Sequence, residues 1–142
     1  YRMECGTLNI VGVAGLNAGT RWVMEQGIEN IHEKEMKLWE RLRKGISEIE
    51  NITIYCANGP ENQNPVLSFN MKGFESGDVG TLLDVDYNIA CRTGLQCAPL
   101  VHVGIGTDKI HGTVRLSIGP FNTEEHIDKA IEAVKEISEI PR

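Results

Sequence analysis

The stretch CRTGLQCAPLVH, from Cys91 to His102, holds the residues best suited to chemistry. Thr93-Gly94 is a turn signal after an apolar run, and Ala98-Pro99 reads as a helix start, because proline is tolerated in the first helical turn. Cys97 is therefore expected on an exposed loop at, or just before, a helix N-terminus. Unpaired amides and the helix dipole favour a thiolate there, the form that attacks sulfur and carbon electrophiles. The competing reading is a small buried hydrophobe, the usual fate of a cysteine. Cys5, Cys56 and Cys91 fit that second reading better, the latter two in apolar, strand-like surroundings. His102 lies five residues beyond Cys97, where it could face the thiol, join it on a metal or simply pack. Two ligands do not make a metal site, and no CxxC pair is present, so none is expected.

Arg115 is the second point of interest. It sits within Thr113 to Ile118, where Val114, Leu116 and Ile118 point one way and Thr113, Arg115 and Ser117 the other. A partly buried arginine needs an anion. That anion is either a structural carboxylate or the carboxylate of a substrate, gripped by the planar guanidinium fork. Gly104 and Gly106 hint at a phosphate loop, but GxGxxG is not completed and no strand leads into it.

The elements that must position these residues follow from periodicity. Ile10 to Gln26 predicts a helix with Val11, Ala14, Ala18 and Trp22 on one face. Its glycines 12, 15 and 19 each cost about 1 kcal/mol against alanine, which points to a close helix contact or an interface. Gly27 ends it, and Asn30 followed by Glu33 offers a cap for a second helix with the stripe Ile31, Leu38, Trp39, Leu42, Ile46 and Ile49. Alternation predicts strands over Ile52 to Cys56 and Leu67 to Met71, separated by the polar loop Ala57 to Pro65. A short helix over Ser76 to Asp84 and a short strand over Asn88 to Arg92 come next. After the strand around Arg115, Thr123 caps a last helix with Ile127, Ile131, Val134 and Ile137 inward and Glu124 and Glu125 at the positive end of its dipole. The expected fold is α/β or α+β, with helices packed on a small, mainly antiparallel sheet.

Composition narrows the function. The 142 residues suit a single domain over 1–142, with an ordinary 41% hydrophobic and 24% charged content. A net charge of -6 without a basic patch excludes a general nucleic-acid binder. No apolar run approaches the roughly 18 residues of a membrane span, and no secretion signal is visible, so the expected setting is cytoplasmic. Four irregularly spaced cysteines are expected to be free thiols. The chain begins at Tyr1 rather than methionine and is expected to be part of a longer protein.

Taken together, RMECGTLN followed by a small-residue helix, then ACRTGLQCAP, GTVRLS and FNTEEHID, resemble in order the C-terminal end of class V aminotransferase-like proteins. Within them the chain is most similar to the SufS-like cysteine desulfurases. The resemblance implies the small C-terminal domain of a fold type I enzyme dependent on pyridoxal 5'-phosphate, with the large cofactor-binding domain lying outside these residues. It implies that Cys97 forms a persulfide, that Arg115 binds the substrate carboxylate with Arg92 as a second substrate-binding residue, and that Gly6 and Thr7 reach the cofactor phosphate of the neighbouring subunit in a homodimer. It further implies L-cysteine as substrate, alanine as product and a sulfur-acceptor protein downstream. One departure matters: the family's Schiff-base lysine follows a histidine, and none of the seven lysines here does. The fragment alone is therefore expected to be inactive. Alternatives are a related lyase or transferase, such as a selenocysteine lyase, and a stand-alone persulfide carrier.

Overall fold

In the computed structural model, residues 6–57 and 62–141 are described. They fall into two compact units, which divide between Lys34 and Glu35. The expectations for Cys5 concern a residue outside the described ones.

The first unit contains α1 (Ile10–Gln26) and the start of α2 (Ile28–Ser47). Asn9 caps α1, its Oδ1 accepting from the Gly12 amide at 2.9 Å. None of the α1 residues is buried, and Val11 is 84% exposed. Gly27 separates the two helices with φ 80, a left-handed conformation that favours glycine. Here the structure corrects the expected cap. Helix α2 starts at Ile28, so Asn30 lies inside it, and its Nδ2 donates to the Gln26 carbonyl at 2.9 Å. The asparagine thus satisfies the end of α1 rather than the beginning of α2.

The second unit is built on three antiparallel strands in the order β1 (Ile52–Tyr55), β2 (Val66–Met71), β3 (Val114–Ser117). Alternation places Leu67, Phe69 and Met71 of β2 and Val114 and Leu116 of β3 on one face, all buried. That face meets Leu38, Trp39, Leu42 and Ile46 of α2, Val79 and Leu83 of α3 (Ser76–Val85), and Ile127, Val134 and Ile137 of α5 (Glu124–Ser138) in one core. Phe69, Val79, Leu83, Val114, Val134 and Ile137 retain no exposed surface. Burial of each such side chain is worth about 1.5–3 kcal/mol, which is why the apolar stripes of the helices pack on this face. Gly45 is needed at the α2 surface because a Cβ there would collide with Ile131. Thr123 closes the N-terminus of α5 reciprocally: its Oγ1 accepts from the His126 amide at 3.4 Å, and its own amide donates to His126 Nδ1 at 3.3 Å.

The strand expected over Asn88 to Arg92 does not form. Asn88 takes φ 54, its amide donates to Asp84 O, and the Ile89 amide donates to Leu83 O at 2.8 Å. Those donors are spent on the C-terminus of α3 instead of on a sheet neighbour. Only Arg92 reaches β3, through one antiparallel bridge to Arg115.

Candidate active site

The opposite face of the sheet is mainly polar, carrying Thr53, Tyr55, Ser68, Asn70, Arg115 and Ser117. The register aligns Tyr55 with Ser68, Ser68 with Arg115, and Arg115 with Arg92, giving one row across the sheet. Arg92 and Arg115 exchange both backbone bonds, at 3.0 and 2.7 Å. Directly opposed residues point to the same face with Cβ atoms roughly 4.5–5.5 Å apart, and like charges so placed repel. Two arginines at the head of one row therefore favour an anion between or beside them. Arg115 adds a sharper sign. Its Nε is buried and has no hydrogen-bond partner among the described residues. A buried donor without a partner costs about 1–3 kcal/mol, and a carboxylate would satisfy it.

The chain continues from Arg92 along the edge of β3 and then turns away. The Thr113 amide donates to Gly94 O at 3.2 Å, continuing the ladder for one more residue. Leu95 to Ala98 then form a tight turn, closed by the Ala98 amide on Leu95 O at 2.8 Å. Its two central residues are Gln96 (φ 52) and Cys97 (φ 60), the pattern of a type I′ turn. Such a turn usually carries glycine or asparagine. Two residues with larger side chains held there cost about 1–2 kcal/mol each. Strain of this kind collects where a side chain must be presented in one direction. Cys97 is exposed at the tip, with Ala98 as the N-cap and Pro99 as the first residue of the short helix α4 (Pro99–Ile105).

The other arm of the loop is braced from below. Asn70 Nδ2 donates to Gly112 O at 3.0 Å, Ser76 Oγ donates to His111 O at 3.4 Å, and the Gly112 amide donates to Thr107 O at 2.9 Å. Gly112 has φ 93, and a Cβ there would overlap the carbonyl of Gly94, so the two arms touch backbone to backbone. His102, considered above as a neighbour or co-ligand of Cys97, is buried, with its Nδ1 2.7 Å from Thr107 Oγ1. That bond ties α4 to the turn after it. Among the described residues no cluster of three His, Cys, Asp or Glu side chains could hold a metal ion.

The structure thus brings Arg92, Arg115 and the Cys97 turn onto one edge. Gly6 and Thr7 belong to the other unit; both are exposed, and nothing lies within 4 Å of where a Gly6 Cβ would stand. Cys56, expected to be a packed thiol, is exposed because β1 ends one residue earlier. Cys91 is half-buried, and desolvation, with a smaller effect from the Asp84 carboxylate, pushes its thiol pKa up. Sequence reasoning missed Gln96 and the Ser68–Tyr55 continuation of the arginine row. Alternation shows that Ser68 faces outward, but only strand register reveals that it abuts Arg115.

All seven lysines, Lys34, Lys37, Lys44, Lys72, Lys109, Lys129 and Lys135, are exposed.

Comparison with known proteins supplies the context. The family model described as aminotransferase class-V matches residues 1–130. A probable cysteine desulfurase of Methanothermobacter thermautotrophicus is 36% identical over 137 residues, covering 96% of this chain and 34% of that relative. A cysteine desulfurase of Escherichia coli O157:H7 is 34% identical over 138 residues, covering 96% and 32%. Among solved structures, the apo cysteine desulfurase of Thermococcus onnurineus NA1 superposes with a TM-score of 0.86 at 34% identity, covering 96% of this chain and 33% of that one. The Escherichia coli cysteine desulfurase CsdA, in an S-sulfonic acid form, gives 0.82 at 27% identity, covering 95% and 32%. The chain therefore spans about a third of the length of these relatives.

Proposed function

This chain belongs to the aminotransferase class-V family, and from that premise we propose that it is the sulfur-accepting part of a cysteine desulfurase acting on L-cysteine. The observation that carries the reading is the linkage of two groups through one strand edge. Cys97 is presented on a strained turn, and that turn is laddered to β3, which bears the unpartnered Nε of Arg115.

In this reading the guanidinium of Arg115, assisted by Arg92, grips the carboxylate of L-cysteine. A bidentate grip fixes the direction of the rest of the substrate, an orientation effect that lowers the barrier before any bond changes. The Cys97 sulfur then forms an S–S bond to the substrate sulfur as the substrate C–S bond breaks. The bonding pair stays with the carbon fragment, which takes up a proton and leaves as alanine. Cys97 retains the persulfide, and its exposure suits transfer to a sulfur-acceptor protein.

Pyridoxal phosphate belongs to the proposal as the electron sink that family members supply. Its lysine is assigned to the part of the enzyme that these residues do not span. Gly6 and Thr7 are assigned to the cofactor phosphate of a neighbouring subunit, which makes the active form a homodimer. The cytoplasm is the proposed setting; no helix among the described residues is long and apolar enough to cross a membrane.

The test uses the full-length protein with pyridoxal phosphate and L-cysteine, and measures alanine and sulfide for the parent and for Cys97→Ala. Alanine formation lost in the variant, with a mass increase of one sulfur on the Cys97 peptide of the parent, is the expected result. Turnover indifferent to the substitution would refute the persulfide role and favour a lyase or transferase of another substrate.

A further inference from the structure

We propose that Gln96 is a positioning residue for Cys97, its side-chain amide acting as a substitute strand donor that holds the strained turn against β3. The inference rests on the reading of Cys97 as the sulfur acceptor and deepens it.

The backbone explains why such a device is needed. In an antiparallel ladder, a hydrogen-bonded pair exchanges two bonds. Arg92 and Arg115 do so in full. At the next such pair, the Thr113 amide donates to Gly94 O at 3.2 Å, but the return bond to Thr113 O comes from Gln96 Nε2 at 3.0 Å. The same nitrogen lies 3.4 Å from Thr113 Oγ1 and 3.5 Å from Arg92 O. Three oxygen acceptors converge on one side-chain NH2, which carries two donor hydrogens. Thr113 is fully buried, so its carbonyl cannot readily turn to water when that donor is removed.

The clamp acts where the strain is. Gln96 and Cys97 both occupy the left-handed region, and neither is glycine. Without a tether, the pair gains by relaxing to ordinary backbone angles, and the direction of Cys97 Sγ changes with them. Gln96 also joins the Cys97 turn to Arg92 O, which accepts the Arg115 amide, and to Thr113 O, two residues before Arg115 in the chain. One side chain therefore fixes the sulfur acceptor relative to the residue proposed to orient the substrate. Loss of the clamp should impair the transfer step and leave carboxylate binding alone.

The test compares Gln96→Met, which keeps length and volume but has no donor, with Gln96→His, whose Nε2–H has nearly the same reach. Both are made in the full-length enzyme. For Gln96→Met, kcat for alanine formation should fall about fivefold to tenfold, the loss expected when one hydrogen bond in a pre-organised site is removed. KM for L-cysteine should stay within about twofold, since substrate is held by other groups. Gln96→His should recover most of the rate. Independently of turnover, hydrogen exchange at the Thr113 and Ala98 amides should accelerate about fivefold in Gln96→Met, with β1 and β2 unchanged. An unaltered kcat, a parallel change in kcat and KM, or no recovery by histidine would overturn the proposal. Cys97→Ala run alongside separates the two levels. If alanine formation survives that change, the function is misread; if it is abolished while Gln96→Met behaves as the parent, only the clamp is wrong.

Discussion

Replacing Arg115 with methionine should make the protein more stable and, at the same time, unable to hold an amino-acid carboxylate. Methionine preserves the long unbranched stem that packs beside Ser68 but removes the buried Nε that has no partner. An unsatisfied buried donor costs about 1–3 kcal/mol, and the repulsion across the bridge from Arg92 adds to it. Arg115 is only half-buried, so water reaches part of its guanidinium and the lower end of the range applies. A gain of about 1 kcal/mol corresponds to roughly 3–5 °C in Tm for a chain of this size. The assay is thermal unfolding with and without a saturating amino acid such as L-alanine. At about ten times its Kd, a ligand stabilises the parent by about 1.4 kcal/mol, while the variant should show no such shift. A lower Tm for Arg115→Met would mean that the arginine has a structural partner. The anion-site reasoning would then fail.

Four further outcomes follow from the geometry. Gly112→Ala should destabilise by about 2–4 kcal/mol, because the new Cβ meets the Gly94 carbonyl and φ 93 disfavours any side chain; urea unfolding midpoints measure it. The Cys91 thiol, raised by burial, keeps its proton longer in the folded than in the unfolded chain. Stability is therefore full below the ordinary thiol pKa and declines as pH rises toward the folded value, and Cys91→Ala should flatten that alkaline limb in pH-dependent melts. Alkylation mapped by mass spectrometry at about pH 8 should accordingly modify Cys91 more slowly than exposed Cys56. Asp128 accepts from Arg41 Nε at 2.7 Å and from its NH2 group at 2.9 Å, which holds its pKa below the usual carboxylate range. Its contribution is present above the unfolded pKa and is lost as pH falls through the folded one; Arg41→Met should return the Asp128 titration upward in NMR.

Much of the architecture was legible because the driving force is local and periodic. Leu67, Phe69 and Met71 alternate, and so do Val114 and Leu116; all five are buried on one face. The stripes of α2 and α5 follow the helical period, and Thr123 caps as its residue type requires. The failures are equally physical. Asn88 to Arg92 has strand-like composition, but the left-handed turn at Asn88 commits the Asn88 and Ile89 amides to the end of α3. Asn30 has the chemistry of a cap, yet Gly27 breaks the chain earlier and leaves Asn30 to serve the preceding helix.

For the site, residue type and spacing alone singled out Cys97 and Arg115, since a cysteine before Ala-Pro and an arginine inside an apolar strand each violate a local expectation. Family motifs carried in order by the sequence went further and indicated a class V aminotransferase. Only the tertiary structure could decide what joins these residues. The row from Tyr55 through Ser68 and Arg115 to Arg92 exists because of strand register. The backbone contact of Gly94 with Gly112, and the reach of Gln96 to Thr113, bring together positions 18 and 17 residues apart along the chain. Periodicity reports which face a residue takes within its own element. Which residue stands opposite is set by long-range packing, and that determines the direction in which Cys97 is held.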